Sequence, residues 1–143
     1  MRISTKGRYS LEALLYMAML PQGQYASTRG IAEDTGLSEG YLEQLFIPLR
    51  HAGIIQGLRG PKGGYLLGRP LEEISVGDIL RVMEGSLEPA ECVNSRNCPV
   101  VDTCTSRHTW SELYKKISAC VDSISLKDLV EAYEHMDQME YAI

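Results

Sequence analysis

Residues 38–50 read Ser38-Glu39-Gly40-Tyr41-Leu42-Glu43-Gln44-Leu45-Phe46-Ile47-Pro48-Leu49-Arg50. After His51-Ala52-Gly53 the chain continues Ile54-Ile55-Gln56-Gly57-Leu58, Arg59-Gly60-Pro61-Lys62-Gly63-Gly64, Tyr65-Leu66-Leu67. Leu42, Leu45, Phe46 and Leu49 recur at helical spacing behind a serine cap, which predicts a helix with one apolar face and a small, polar outer face near its start. Pro48 has no amide to donate and should kink or tighten the last turn, and Gly53 ends it. The two β-prone runs that follow flank a Gly/Pro turn, so they predict a hairpin with a basic tip.

Upstream, Ser27 or Thr28 caps a short helix through Ile31, Ala32 and Glu33, with Gly36 supplying the turn into the Ser38 helix. Before it, Leu11, Leu14, Leu15 and Ala18 mark a first helix from about residue 6 to 20, with basic residues crowding its start. Two short helices joined by a glycine turn are the pattern of a helix-turn-helix, and a basic hairpin directly after one is a wing. Many helical hairpins share the first pattern, so the wing sharpens the reading. A phosphate cradle for a nucleotide at residues 60–64 is the disfavoured alternative, because the glycines match neither nucleotide-binding pattern and lead into a strand.

Downstream, Ser75 and Asp78 form a capping box opening a helix with Val76, Ile79, Leu80 and Met83, closed by Gly85. Residues 86–104 lack periodicity and form a long loop. A long helix follows, with Trp110, Leu113, Tyr114, Ile117, Cys120, Val121 and Ile124 on one stripe; Ser125 and Asp128 open a last helix carrying Leu129, Val130, Tyr133 and Met136. The expected fold is mainly α with a small β-hairpin wing: a winged helix-turn-helix plus a long dimerisation helix. The expected segments are 1–70 for DNA binding, 71–85 as connecting helix, 86–105 as cysteine loop, and 106–143 for the dimerisation and C-terminal helices. A 70-residue winged module cannot cover the long stripe alone, so Trp110, Leu113, Tyr114, Ile117, Val121 and Ile124 are expected to meet a second copy in a homodimer. The alternative is that the stripe folds back on its own core.

At 143 residues, with 44% hydrophobic and 23% charged, the chain accommodates one folded unit with an appendage and excludes a disordered or collagen-like protein. Its net charge of −5 is unevenly placed. Residues 1–70 hold eight Lys/Arg against five Asp/Glu, and the rest hold six against fourteen. A basic front half facing a polyanion explains that asymmetry, and a chance imbalance of solvated faces is the plainer alternative. No apolar run reaches membrane-spanning length and the N-terminus lacks secretory-signal features, so the expected location is the cytoplasm, with no membrane partner.

Four cysteines in a cytoplasmic chain point to free thiols, metal ligation or redox chemistry. Cys92, Cys98 and Cys104 are spaced C-x5-C-x5-C, which suits neither a helix face nor a zinc-ribbon pair, so loop backbone must gather them. Soft thiolates suit an iron–sulfur centre or zinc, and a cluster generally asks for a fourth ligand. His108, four residues after Cys104, is the first candidate. Cys120 would lie roughly 24 Å away along a helix and is expected to be a small buried core residue instead. With no C-x-x-C pair, catalytic triad or paired carboxylates, and His51 and His135 read as solvated, no enzyme is expected.

Together, Arg2-Ile3-Ser4-Thr5-Lys6-Gly7-Arg8-Tyr9, the Ser38–Arg50 stretch with Tyr41-Leu42-Glu43-Gln44-Leu45, Arg59-Gly60-Pro61-Lys62-Gly63-Gly64-Tyr65-Leu66-Leu67-Gly68 and the three cysteines resemble the Rrf-type winged-helix regulators. This is the family of the iron–sulfur cluster regulator IscR, the nitric oxide sensor NsrR and the cysteine-metabolism regulator CymR. The resemblance implies a homodimer on double-stranded operator DNA whose cluster tunes affinity. Tyr41, Glu43 and Gln44 would approach base edges, Arg59 the minor groove, and Arg2, Ser4, Thr5, Lys6 and Arg8 the backbone. Ser38 at the helix cap and Lys62 on the hairpin complete the candidate DNA-contacting set. Glu43 accepts from cytosine and repels phosphate, so it can select among sequences.

The resemblance also has departures. Members with a two-iron cluster place a ligand histidine three residues after the last cysteine, where this chain has Arg107. Members with a four-iron cluster use an N-terminal aspartate, about where Arg8 stands. A two-iron centre on Cys92, Cys98, Cys104 and His108 is therefore favoured over a four-iron one, with Glu12 of a second copy, Cys120 or an exogenous molecule as other fourth ligands and zinc as the alternative metal. The competing functions are a winged-helix interaction module with a zinc or thiol redox switch, and a CymR-like regulator of cysteine metabolism.

Overall fold

Serine caps start five α-helices of the computed structural model, which describes residues 2–95 and 97–141 and only the backbone of Tyr141, whereas the helix beginning at Thr105 follows Cys104, whose side chain makes no capping bond. The Ser4 hydroxyl accepts from Gly7 N–H at the start of α1 (Thr5–Met19), Ser27 from Gly30 at α2 (Thr28–Thr35), and Ser38 from Tyr41 at α3 (Glu39–His51). Gly36, at φ +73°, takes the left-handed conformation that lets α2 end and α3 begin. Helix α3 runs on past Pro48 to His51, and its end tightens where Gly53 N–H donates to Arg50 O. The wing is β1 (Ile55–Leu58) paired antiparallel with β2 (Gly64–Leu67), with Ile55 opposite Leu67 and Leu58 opposite Gly64.

Beyond the wing come a short 3-10 turn (Leu71–Glu73) and α4 (Val76–Glu84), whose Ser75/Asp78 capping box is complete in both directions. A second 3-10 turn (Glu91–Val93) interrupts the cysteine loop before α5 (Thr105–Ser123) and α6 (Leu126–Tyr141). Ser125 and Asp128 exchange the same pair of capping hydrogen bonds at the start of α6.

The main core is built from Ala13, Leu14 and Met17 of α1, Ile31 of α2, the four apolar residues of α3, and Ile54 and Ile55. It crosses residue 70, because Ile74, Ile79 and Leu126 are buried in the same cluster. Main-chain bonds at 2.8 Å from Val76 N–H to Ile124 O and from Leu126 N–H to Ile74 O tie the start of α4 to the start of α6. A smaller cluster of Leu80, Leu87 and Val121, flanked by Val76 and Tyr114, joins α4 to α5.

The long stripe therefore divides. Val121 is buried and Tyr114 half-buried within their own chain, Ile117 and Ile124 are half-buried, and Trp110 and Leu113 are 38% and 40% exposed. Cys120 departs from its expected burial and is exposed, since one residue is about 100° around a helix and its neighbour Val121 takes the inward position.

Arg81 holds Asp122 through two hydrogen bonds, at 2.6 and 3.0 Å, across α4 and α5. That bonding keeps the Asp122 carboxyl below the usual carboxylate range. The resulting stability is complete above the unfolded Asp value of about 3.9 and is lost as pH falls through the folded value. The pair is half-exposed and screened, so Asp122→Asn should cost no more than about 1 kcal/mol at pH 7. In urea unfolding the deficit should vanish at acid pH; an equal deficit at both pH values would assign it to packing instead.

Candidate nucleic-acid interface

The outer surface of α3 is set by its inward stripe: with Leu42, Leu45, Phe46 and Leu49 buried, Ser38, Glu39, Gly40, Glu43, Gln44, Ile47 and Arg50 are exposed. Nothing lies within 4 Å of where a Gly40 side chain would begin, so the helix start offers a low, open profile to a groove. Gly there costs about 0.5–1 kcal/mol relative to Ala, and intramolecular packing does not require it.

Two aromatic contacts place the neighbouring elements around this helix. Tyr9 of α1 meets Tyr41 of α3 edge to face, ring centroids 6.1 Å apart, and the Arg8 guanidinium lies 5.7 Å from the Tyr9 ring. Tyr65 of β2 packs on Phe46 at 4.6 Å, while its main chain exchanges two 2.8 Å hydrogen bonds with Ala26. The wing is thus anchored to both α3 and the segment before α2.

At the wing tip the turn is closed by Gly63 N–H donating to Gly60 O, with Gly60 at φ +117°. A Cβ on Gly63 would collide with Leu58 O, and one on Gly64 would collide with Ala26 O. These glycines are steric requirements of the wing, and they leave Arg59 and Lys62 exposed.

Of the expected DNA-contacting residues, Arg2, Thr5, Lys6, Arg8, Ser38, Glu43, Gln44, Arg59 and Lys62 are exposed, and Ser4 and Tyr41 are half-buried. None of the basic residues among them is in an ion pair among the described residues; the four ion pairs there are Arg29–Glu33, Arg69–Asp78, Arg81–Asp122 and Lys115–Glu112. The hydroxyls of Ser4 and Ser38 are occupied as caps, and Ser4 also donates to Glu84 at 2.6 Å.

In the loop, Cys92, Cys98 and Cys104 are all half-buried. Cys104 stands immediately before α5 with its sulfur 3.1 Å from the Ser106 hydroxyl. That hydrogen bond, aided by the Arg107 main chain, draws its thiol below the ordinary cysteine range. Arg107 donates to Cys92 O at 3.1 Å, joining the first cysteine's segment to α5, and His108 is exposed in the same turn. Among the described residues no three His, Cys, Asp or Glu side chains converge on one metal position. The donor chemistry fits a thiolate-bound centre, whereas the side chains stand dispersed along the loop.

Sequence periodicity does not reach contacts such as Arg107 to Cys92 or Glu84 to Ser4. For Glu84 a signal existed: a carboxylate in the last turn of α4 opposes the helix dipole, which points to a partner elsewhere.

The family described as Rrf2, iron-dependent transcriptional regulator, matches residues 3–132. The chain belongs to the Rrf2 family. The HTH-type transcriptional regulator IscR of Xenorhabdus nematophila is 37% identical over 137 residues, covering 96% of this chain and 84% of that protein. Among solved structures, CymR, the global cysteine regulator of B. subtilis, is similar with a TM-score of 0.76 and 37% identity over 92% of this chain and 98% of its own. T. potens IscR gives 0.75 and 38%, over 95% and 90%. This Rrf2 protein is a winged-helix transcriptional regulator, and the relatives named above bear the names of transcriptional regulators and not of enzymes. No helix among the described residues is long and apolar enough to cross a membrane.

Arg59→Ala should weaken binding to a duplex selected by the wild-type protein from a random-sequence pool. The slope of log affinity against log salt should become shallower by about 1 for the removal of one cation from the interface. Fluorescence anisotropy from low to moderate salt checks both; an unchanged slope would remove Arg59 from the interface.

Proposed function

We propose that this Rrf2 regulator binds operator DNA as a homodimer and adjusts its affinity through an iron–sulfur centre held by the cysteine loop. The observation that carries the reading is the division of the molecule into two chemical regions. Exposed cations with no ion pair among the described residues surround an open recognition helix, and three thiols occupy the loop leading into α5. Glu43 and Gln44 would read bases, Arg59 the minor groove, and Lys62, Arg2, Thr5, Lys6 and Arg8 phosphates, with Tyr41 at the edge of the helix and Ser4 and Ser38 setting the helix starts. A two-fold dimer through the exposed Trp110 and Leu113 face of α5 would set two such surfaces on two half-sites.

Cys92, Cys98 and Cys104 would hold the centre, with His108 as the fourth ligand and a two-iron cluster favoured; Glu12 of a second copy, Cys120 or an exogenous molecule are the other fourth ligands. When bound, the centre would supply redox and iron sensitivity. The chain's own contributions are a Cys104 thiol biased toward thiolate and an Arg107 side chain that holds the Cys92 segment against α5. The cytoplasm, where thiols stay reduced, suits this chemistry.

Protein isolated without oxygen should be coloured, with iron and sulfide in stoichiometric amounts, and Cys92→Ala should abolish the visible absorption while the far-ultraviolet circular dichroism is retained. A colourless protein carrying one zinc per chain would instead establish the zinc switch. His108→Ala should change the spectrum if His108 is a ligand, and an identical spectrum would pass that place to another group.

A further inference from the structure

Glu84 is a carboxylate in an unfavourable place on its own helix and a favourable place on another. It stands in the last turn of α4, where the helix dipole disfavours negative charge. Its Oε1 accepts from both the main-chain N–H of Ser4, at 3.0 Å, and the Ser4 hydroxyl, at 2.6 Å. Helix α1 has no acidic residue in its first turn, so Glu84 supplies from 80 residues away the negative charge that its N-terminus favours. Gly7 is shaped for this approach: a Cβ there would lie 2.5 Å from Glu84 Oε1 and 2.9 Å from an Ile3 methyl.

The residues held in this way are the start of the basic arm. Ser4 is flanked by Arg2 and by Thr5, Lys6 and Arg8, all exposed, and Arg8 and Tyr9 lead directly to Tyr41 on α3. On its other side Glu84 is followed by Gly85, which ends α4 at φ +79°, and then by the start of the cysteine loop. Arg2, Ile3, Glu84, Leu87 and Glu88 line one cavity of about 390 Å³ between arm, loop and α5. One carboxylate therefore touches the arm through hydrogen bonds and the loop through the chain.

We propose that Glu84 is a positioning residue that fixes the course of the N-terminal arm for its phosphate contacts and transmits the state of the cysteine loop to it. This rests on the DNA-binding and sensing readings above. Removing the carboxylate frees the segment before α1, so Arg2 loses its set position, whereas Arg59, on the separately anchored wing, keeps its own.

The test is a double-mutant cycle on the full-length protein, using the duplex selected from a random pool by the wild type, with thermal unfolding followed in parallel. Glu84→Ala should weaken binding by about tenfold. Glu84→Gln, whose amide oxygen still accepts from Ser4, should recover much of that loss. Arg2→Ala should weaken the wild type but have little further effect beside Glu84→Ala, while Arg59→Ala should cost the same factor in both backgrounds. Equal cost of Arg2→Ala in both backgrounds overturns the positioning role. Should Glu84→Ala fail to fold, the same cycle is run with Ser4→Ala.

For the transmission, affinities of metal-free protein and protein reconstituted with iron and sulfide are compared. Their ratio should move toward one in Glu84→Ala, and a ratio unchanged from that of a wild type whose two forms differ overturns it; a wild type that binds alike in both forms marks failure of the sensing reading and removes the transmission with it. A wild type that selects no duplex at all marks failure of the DNA reading itself, distinct from either result.

Discussion

Two main-chain hydrogen bonds between residues 74–76 and 124–126 hold the back half of this regulator to its front. They satisfy polar groups beside a fully apolar site, where Ile74 and Leu126 are both completely buried, and so fix the start of α4 next to the end of α5. Helix α4 has 9 residues and α5 has 19, so α5 outruns its neighbour by roughly 15 Å. Its final turns find partners in Leu80 and Leu87, and its first turns leave Trp110 and Leu113 uncovered. The same constraint brings the cysteine loop back along the projecting end, where Arg107 meets the Cys92 segment.

The front half follows a different logic, in which aromatic side chains convert a small core into fixed geometry. Phe46 faces inward from α3 and receives Tyr65 from the wing, and Tyr41 on the same helix receives Tyr9 from α1. Each contact relates a flanking basic element to the recognition helix. Glycines complete the wing by letting its backbone pass within a distance that no side chain would allow.

Much of this was legible in the sequence because it is local. The caps at Ser27, Ser38, Ser75 and Ser125, the Gly36 turn and the period of Leu42, Leu45, Phe46 and Leu49 are each decided within about one helical turn. The wing was equally readable, since Gly60 and Gly64 take the positive φ values that only glycine adopts readily. What escaped is non-local. Periodicity placed both Cys120 and Val121 on the stripe, and only the position of α4 selects Val121 as the inward residue. Nor does spacing alone reveal how Cys92, Cys98 and Cys104 lie, because residues 86–104 have no period from which direction could be inferred.

Charge shows why a sum over the whole chain misleads here. A net −5 predicts repulsion from a polyanion, yet at physiological salt exposed charges separated by more than about 8 Å are largely screened, so the local arrangement governs contact. Around α3 the exposed cations have no carboxylate partner among the described residues, while the described ion pairs engage other residues. Glu84, the acid that reaches the arm, is turned onto Ser4 and the start of α1, where its charge serves the helix. Glu43 stays exposed on α3, and under the proposed reading its carboxylate would oppose phosphate yet accept from a cytosine amino group, so a cost in general affinity would become a source of selection among sequences.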